Sequence, residues 1–188
     1  MSTEVLERAF ASTRLVLTNV SAEQLEDPTP CASWTVRELV NHIVGGTTFF
    51  AETIEAGTSP IPDVAQDFAS GDVVATFDEG AKRAIAAFGA EGAMDRVVKA
   101  PIGEVPGSIF VWIASVDTFA HGWDLAKATG QSTDLDPELA SQLLDVSKLA
   151  LTDNFRGADK KAPFGYAVEV PDAAPYADRL AGFLGRQD

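Results

Sequence analysis

The sequence predicts an all-α protein: an antiparallel four-helix bundle with an additional short C-terminal helix and loops. Three observations predict this class. Several long segments carry apolar residues at helical spacing, their ends carry helix start and stop signals, and no segment has a convincing strand pattern. The 188 residues, 46% hydrophobic and 22% charged, can bury one core, so we expect a single domain over residues 1–188.

Six helices are predicted in chain order, at 3–19, 35–56, 72–89, 107–129, 136–153 and 176–184. The clearest start is Thr35 to Glu38, a capping box preceded by Trp34, which can pack on Leu39 as a hydrophobic staple. Asp136 is followed by proline, the usual first helical residue after a cap. Segments 58–71 and 154–175 are rich in turn-forming residues and predict loops, and 97–104 predicts only an extended turn.

Charge and cysteine content exclude several functions. With 28 acidic and 14 basic residues the net charge is −14, which makes nucleic acid and membrane surfaces poor partners. Cys31 is the single cysteine, so an intrachain disulfide and a cysteine-rich zinc site are excluded. The N-terminus lacks the pattern of a signal peptide and no apolar run would span a membrane, so we expect a cytoplasmic protein.

The fourth predicted helix carries the residues of chemical interest. One of its faces is mainly apolar and should point into the bundle, and yet it includes two aspartates and a histidine: Phe110, Ile113, Ala114, Asp117, Ala120, His121, Asp124 and Ala128. A buried carboxylate needs a counter-charge, which a bound cation would supply. Asp117 and His121 lie one turn apart, and His42 is the only other histidine. The sequence therefore predicts a divalent-metal site of His42, Asp117 and His121, with zinc preferred over nickel or iron.

Alternatives remain at each of these positions. Asp117 and His121 also fit a simple buried pair without a metal. Asp124 fits a general base, a fourth ligand, or a partner that orients a ligand. Cys31 fits a reactive thiol or a small buried side chain, and Trp34 fits either packing or a pocket wall.

Two segments resemble a known family: 29–42, TPCASWTVRELVNH, and 117–126, DTFAHGWDLA. Together with 164–171 and 178–180 they resemble the DinB-like superfamily, and more closely its actinobacterial branch related to mycothiol-dependent maleylpyruvate isomerases. The resemblance implies a four-helix bundle with zinc or nickel at one end. By motif the ligands are His42, Asp117 and His121, although His or Glu is typical of the superfamily where this chain has Asp117.

The resemblance also implies a function. We expect a metal-dependent transferase or isomerase that uses a low-molecular-weight thiol, such as mycothiol, on a small electrophile, with Asp124 as the catalytic residue. The isomerases carry a further C-terminal domain, for which this chain is too short, so isomerase activity itself is not assumed.

The alternative is a non-catalytic metal- or small-ligand-binding protein linked to stress, or a dimeric scaffold, because no histidine remains outside the ligand set to act as acid or base. A homodimer fits either function. A degenerate site without metal is the third alternative.

Overall fold

The computed structural model describes residues 3–31, 33–61, 66–158 and 162–186. These ranges contain six α-helices and one hairpin, as follows: α1 (Glu4–Leu17), α2 (Val36–Ala56), α3 (Val73–Gly89), β1 (Val97–Ala100), β2 (Gly103–Pro106), α4 (Gly107–Ala128), α5 (Pro137–Ala150) and α6 (Tyr176–Phe183). Among the described residues, no helix combines the length and hydropathy needed to cross a membrane. Parts of the two predicted loops, 62–65 and 159–161, lie outside the described residues.

Side-chain caps fix where two of the helices begin. Thr35 and Glu38 form the predicted reciprocal box at the start of α2, with the Thr35 amide donating to the Glu38 carboxylate at 2.8 Å. The carboxylate of Asp136 accepts from the Leu139 amide at 3.1 Å and starts α5. Gly57 ends α2 with a left-handed φ of 76°, a conformation that costs glycine little.

Helices α1 to α4 form a closed set of contacts. Each of α1 and α2 packs against both α3 and α4, while α5 and α6 pack on each other and on α4. The prediction of an all-α protein is confirmed; the antiparallel order of the four-helix bundle stays a prediction. There are two groups of buried apolar side chains, one mainly among α1 to α4 and one mainly among α4, α5 and α6, and α4 contributes to both.

Helix α4 is buried on nearly all sides, and this corrects the expectation of a single inward face. Ser115 and Thr118 lie off that face and are nonetheless buried, whereas Ile113 and Asp117 lie on it and remain partly exposed. The reason is that α4 has neighbours in both buried groups: α1 to α3 in one, α5 and α6 in the other. Most of the predicted face is buried, but the burial of α4 extends well beyond that face.

The segment 97–106 forms a hairpin rather than the expected extended turn. Val98 pairs with Val105, and Ala100 pairs with Gly103 across the antiparallel strands. Each strand has only four residues, which is too short for an alternating pattern to stand out from a turn.

Close contact between α1 and α4 depends on Gly122, which follows His121 directly. The buried hydroxyl of Thr13 donates to the carbonyl of Thr118 at 2.9 Å, and a β-carbon at Gly122 would collide with the side chain of Thr13. The missing side chain therefore lets α1 lie against the turn of α4 that carries His121.

We expect Gly122→Ala to lower the free energy of unfolding by about 1–3 kcal/mol, the usual cost of overpacking a close contact. Urea denaturation measures the change. Gly89→Ala is the matched control, because nothing lies within 4 Å of a β-carbon there. Equal destabilisation of the two variants, or none in either, would contradict the packing role of Gly122.

Candidate metal centre

The structure brings the three predicted ligands together. His42 comes from α2, and Asp117 and His121 come from successive turns of α4. Nε2 of His42 lies 3.6 Å from Oδ2 of Asp117, and Nε2 of His121 lies 3.6 Å from Oδ1 of the same carboxylate. One potential ligand atom from each residue falls within 4.8 Å of the other two. The carboxylate thus lies between two imidazoles, at distances too long for direct hydrogen bonds.

His42 carries a polar atom that lacks a partner. Its Nε2 is buried and has no hydrogen-bond partner among the described residues, although 37% of the side-chain area is exposed through other atoms. Burial opposes protonation, but the nearby Asp117 carboxylate outweighs it and raises the pKa of His42. Burial raises the pKa of Asp117, but the neighbouring His121 and His42 outweigh it and hold this pKa below its usual range. The site therefore favours positive charge beside Asp117.

Asp124 sets the orientation of His121. Its Oδ2 lies 3.0 Å from Nδ1 of His121, three residues earlier on the same helix. Because the Asp124 carboxylate is ionised, Nδ1 must carry the proton and donate it. The other nitrogen, Nε2, faces Asp117 and is the ring atom that a metal ion at this site would use. This is the arrangement by which a carboxylate commonly fixes a metal-binding histidine.

Arg186, near the C-terminus, neutralises Asp124. Its Nη2 and Nε donate to the carboxylate at 3.0 and 3.2 Å, and the Asp124 side chain is fully buried. Burial alone would raise the pKa of Asp124, but Arg186 and His121 outweigh it and lower that pKa to about 2. Sequence reasoning missed Arg186 because it lies 62 residues after Asp124 in a region without a motif; only the need of a buried carboxylate for a cation pointed toward such a partner.

Cys31 lies next to Asp124, at the Nδ1 edge of the His121 ring, whereas Asp117 faces Nε2 of that ring. Its Sγ donates to Oδ2 of Asp124 at 3.1 Å and lies 3.8 Å from Nδ1 of His121. Burial, and then the charge of Asp124, raise the pKa of this thiol far above its usual range. These contacts oppose a reactive thiolate. Cys31, His121 and Asp124 nevertheless form a second group with metal-ligand spacing.

The fold and the site agree with one class of protein, the all-α DinB-like proteins. A sequence model of the family described as "Mycothiol maleylpyruvate isomerase N-terminal domain" matches residues 6–126, a range that includes His42, Asp117, His121 and Asp124. The chain belongs to this family.

Relatives and a solved structure extend the comparison. Two proteins of Mycobacterium tuberculosis, "Uncharacterized protein MT0763" of strain CDC 1551 / Oshkosh and "Uncharacterized protein Rv0738" of strain ATCC 25618 / H37Rv, are each 41% identical over 186 residues, covering 99% of this chain and 96% of theirs. The crystal structure of the mycothiol-dependent maleylpyruvate isomerase superposes with a TM-score of 0.59 at 16% identity, over 76% of this chain and 65% of that one. At that identity the superposition shows a shared fold, and the chain spans about two thirds of that protein.

Replacing Asp124 by Asn should destabilise the protein, because the buried guanidinium of Arg186 would lose its counter-charge. We expect the free energy of unfolding at pH 7 to fall by about 3 kcal/mol. The pKa of Asp124 lies below its usual 3.8, so the stabilisation is complete above that value and is lost as the pH falls toward 2.

Denaturation curves of the wild type and Asp124→Asn from pH 7 to pH 2 measure this effect. The two stabilities should converge at the acid end. Asp145→Asn, an exposed carboxylate on α5, is the control and should change stability by less than about 0.5 kcal/mol. A difference between wild type and Asp124→Asn that persists unchanged at pH 2 would contradict the assignment.

Proposed function

We propose that this protein binds a divalent metal ion through His42, Asp117 and His121, and uses it with a low-molecular-weight thiol of the mycothiol type in a transfer or isomerisation reaction on a small electrophile. One observation carries the proposal: the Asp117 carboxylate lies between two imidazole nitrogens at 3.6 Å, and Nε2 of His42 has no hydrogen-bond partner among the described residues. The family, which is named for a mycothiol isomerase, supports the thiol.

The donor set fits a divalent ion. Two neutral imidazoles and one carboxylate suit zinc, and also nickel or iron, and leave coordination positions open for another ligand. The bound ion would also meet the charge requirement of Asp117, which Arg186 does not meet because it binds Asp124. Of these three metals, we propose zinc as the bound ion.

The second group with ligand spacing fits a metal less well. Its carboxylate, Asp124, already binds Arg186, and its thiol donates to that same carboxylate at 3.1 Å. His121 presents Nδ1 to this group, but that atom carries the proton donated to Asp124. These contacts favour the site of His42, Asp117 and His121.

Each ligand residue has a distinct part in the proposed chemistry. A bound divalent ion would lower the pKa of a coordinated thiol and so hold it as a thiolate at neutral pH. His121 is held in orientation by Asp124, while His42 and Asp117 keep 37% and 34% of their side-chain areas exposed. The thiol and its electrophile would therefore approach from the side of His42 and Asp117.

The contacts of Asp124 support an orienting role over the predicted role of general base. A base works best with a pKa near the working pH, whereas the pKa of Asp124 is about 2. Its side chain is also fully buried and bonded to Arg186, His121 and Cys31. We propose that Asp124 acts on the reaction through His121.

Metal content tests the ligand set. Protein purified without a histidine tag should carry close to one divalent ion per chain by elemental analysis. His42→Ala and His121→Ala should each lose most of this metal, because two remaining ligands hold an ion weakly. Asp117→Asn should lose it as well, and Asp145→Asn, the same change at an exposed site on α5, should keep it. Equal metal in the wild type and His121→Ala would exclude the assignment.

Conversion of the electrophile tests the reaction. We expect the metal-loaded protein with mycothiol to convert some members of a panel of small electrophiles. A transfer should consume one thiol per product, whereas an isomerisation should return the thiol. Conversion should stop after chelation and recover when the ion is restored, with His121→Ala and Asp145→Asn as the inactive and active comparisons. Conversion that is unaffected by chelation would contradict a metal-dependent reaction.

A non-catalytic role is the second candidate function, that of a metal- or ligand-binding protein. It is favoured by the scarcity of acid–base groups, because both histidines belong to the ligand set and Asp124 is held by Arg186. Tight binding of metal and thiol in calorimetry, with no turnover across the electrophile panel, would select this function.

A further inference from the structure

Three aromatic rings meet at the proposed metal site. The indole of Trp34 lies 4.6 Å from the ring of His42 and 5.5 Å from the ring of His121, centroid to centroid, with interplanar angles of 39° and 42°. The two imidazoles lie 4.6 Å apart and nearly perpendicular, at 76°. One indole therefore contacts both histidines of the ligand set.

The backbone holds Trp34 firmly in this position. Its amide donates to the carbonyl of Cys31 at 2.7 Å, and the hydroxyl of Thr29 donates to the carbonyl of Trp34 at 2.9 Å. The next residue, Thr35, caps α2. The loop before α2 thus fixes the backbone from which the indole extends, and the indole itself packs against the core.

The loop before α2 also contacts the His121 ring through Cys31, at the edge that carries Nδ1. Cys31 lies three residues before Trp34, and its Sγ approaches Nδ1 of His121 at 3.8 Å. His121 is therefore restricted by Asp124, Cys31 and Trp34. For His42, Nε2 has no orienting hydrogen bond within the described part of the chain, which makes the indole contact the more important restriction there.

We propose that Trp34 is a positioning residue of the metal site, which fixes the ring planes of His42 and His121 before the ion binds. This rests on the proposed function. An imidazole binds a metal through a lone pair in its own plane, and rotation about its last side-chain bond is otherwise loosely restrained. A ring packed against both imidazoles removes much of that freedom and so favours binding. Outer-shell residues that orient a ligand by hydrogen bonding change metal affinity by about 10–100-fold, and we expect a loss of the same order from removing the indole.

Calorimetric titration of chelator-treated protein with Ni²⁺ and Zn²⁺ tests the proposal. Trp34→Leu, which removes the aromatic face, should bind each ion about 10–100-fold more weakly than the wild type. Trp34→Phe, which keeps an aromatic face, should recover most of the affinity. Trp112→Leu is the matched control, because Trp112 is a half-buried packing residue of α4, and it should bind as the wild type does.

The electronic spectrum of the Co²⁺-substituted protein separates positioning from a general loss of stability. The ligand-field bands report coordination geometry, so they should shift or broaden in Trp34→Leu and stay as in the wild type in Trp34→Phe and Trp112→Leu. Wild-type affinity and wild-type bands in Trp34→Leu would overturn the role of Trp34 while leaving the metal site intact. Absence of metal binding in the wild type would instead overturn the proposed function.

A measurement on the unmodified chain covers the case in which Trp34→Leu does not fold. The ring protons of the two histidines in the metal-free wild type should be displaced in the proton NMR spectrum by the ring current of the indole. With only two histidines in the sequence, the signals are readily followed. Shifts typical of solvent-exposed histidine at both residues would overturn the proposal.

Discussion

The site depends on the charge balance of two carboxylates on one helix. Asp117 and Asp124 lie two turns apart on α4, with His121 between them, and burial penalises the ionised form of both. Asp124 has a full counter-charge in Arg186, at 3.0 Å. Asp117 instead lies between two imidazoles, whose Nε2 atoms are 3.6 Å from its carboxylate oxygens. One carboxylate is thus paired with an arginine of the chain and the other lies between two nitrogen donors, and this difference supports the cation site proposed at Asp117.

Two segments that pack on α4 supply the groups that face these two carboxylates. The packing of α2 against α4 brings His42 to Asp117, while the segment after α6 brings Arg186 to Asp124. Because Asp124 also holds Nδ1 of His121, the C-terminal segment acts on the ligand set through one intermediate hydrogen bond. The residues beyond the family match at 6–126 therefore contribute directly to the state of the site.

Local signals predicted the helices well, and long-range contacts limited the rest. The cap at Thr35, the proline after Asp136 and the stop at Gly57 are short-range effects, so both ends of α2 and the start of α5 were predicted closely, whereas α5 ends three residues before the predicted position. The meeting of His42 with Asp117 and His121 was predicted from chemistry and resemblance, and the structure brings these residues together. Arg186 was missed because its pairing depends on how the C-terminal segment returns to α4. The burial of α4 on both sides was missed because a helix between two cores has no single polar face.

The contacts of Cys31 argue that the reacting sulfur in the proposed chemistry comes from outside the chain. Cys31 is the only cysteine, and its Sγ lies beside Nδ1 of His121, on the opposite ring edge from the nitrogen that faces Asp117. Its hydrogen bond to Asp124 and its burial raise its pKa, so the thiol stays protonated. A neutral thiol is a poor nucleophile. Because Cys31 lies beside Nδ1 of His121 and donates to Asp124, it is not placed to compete with an incoming thiol for an ion at Nε2 of His121, and the exposed side of His42 and Asp117 is open to that thiol in the proposed chemistry.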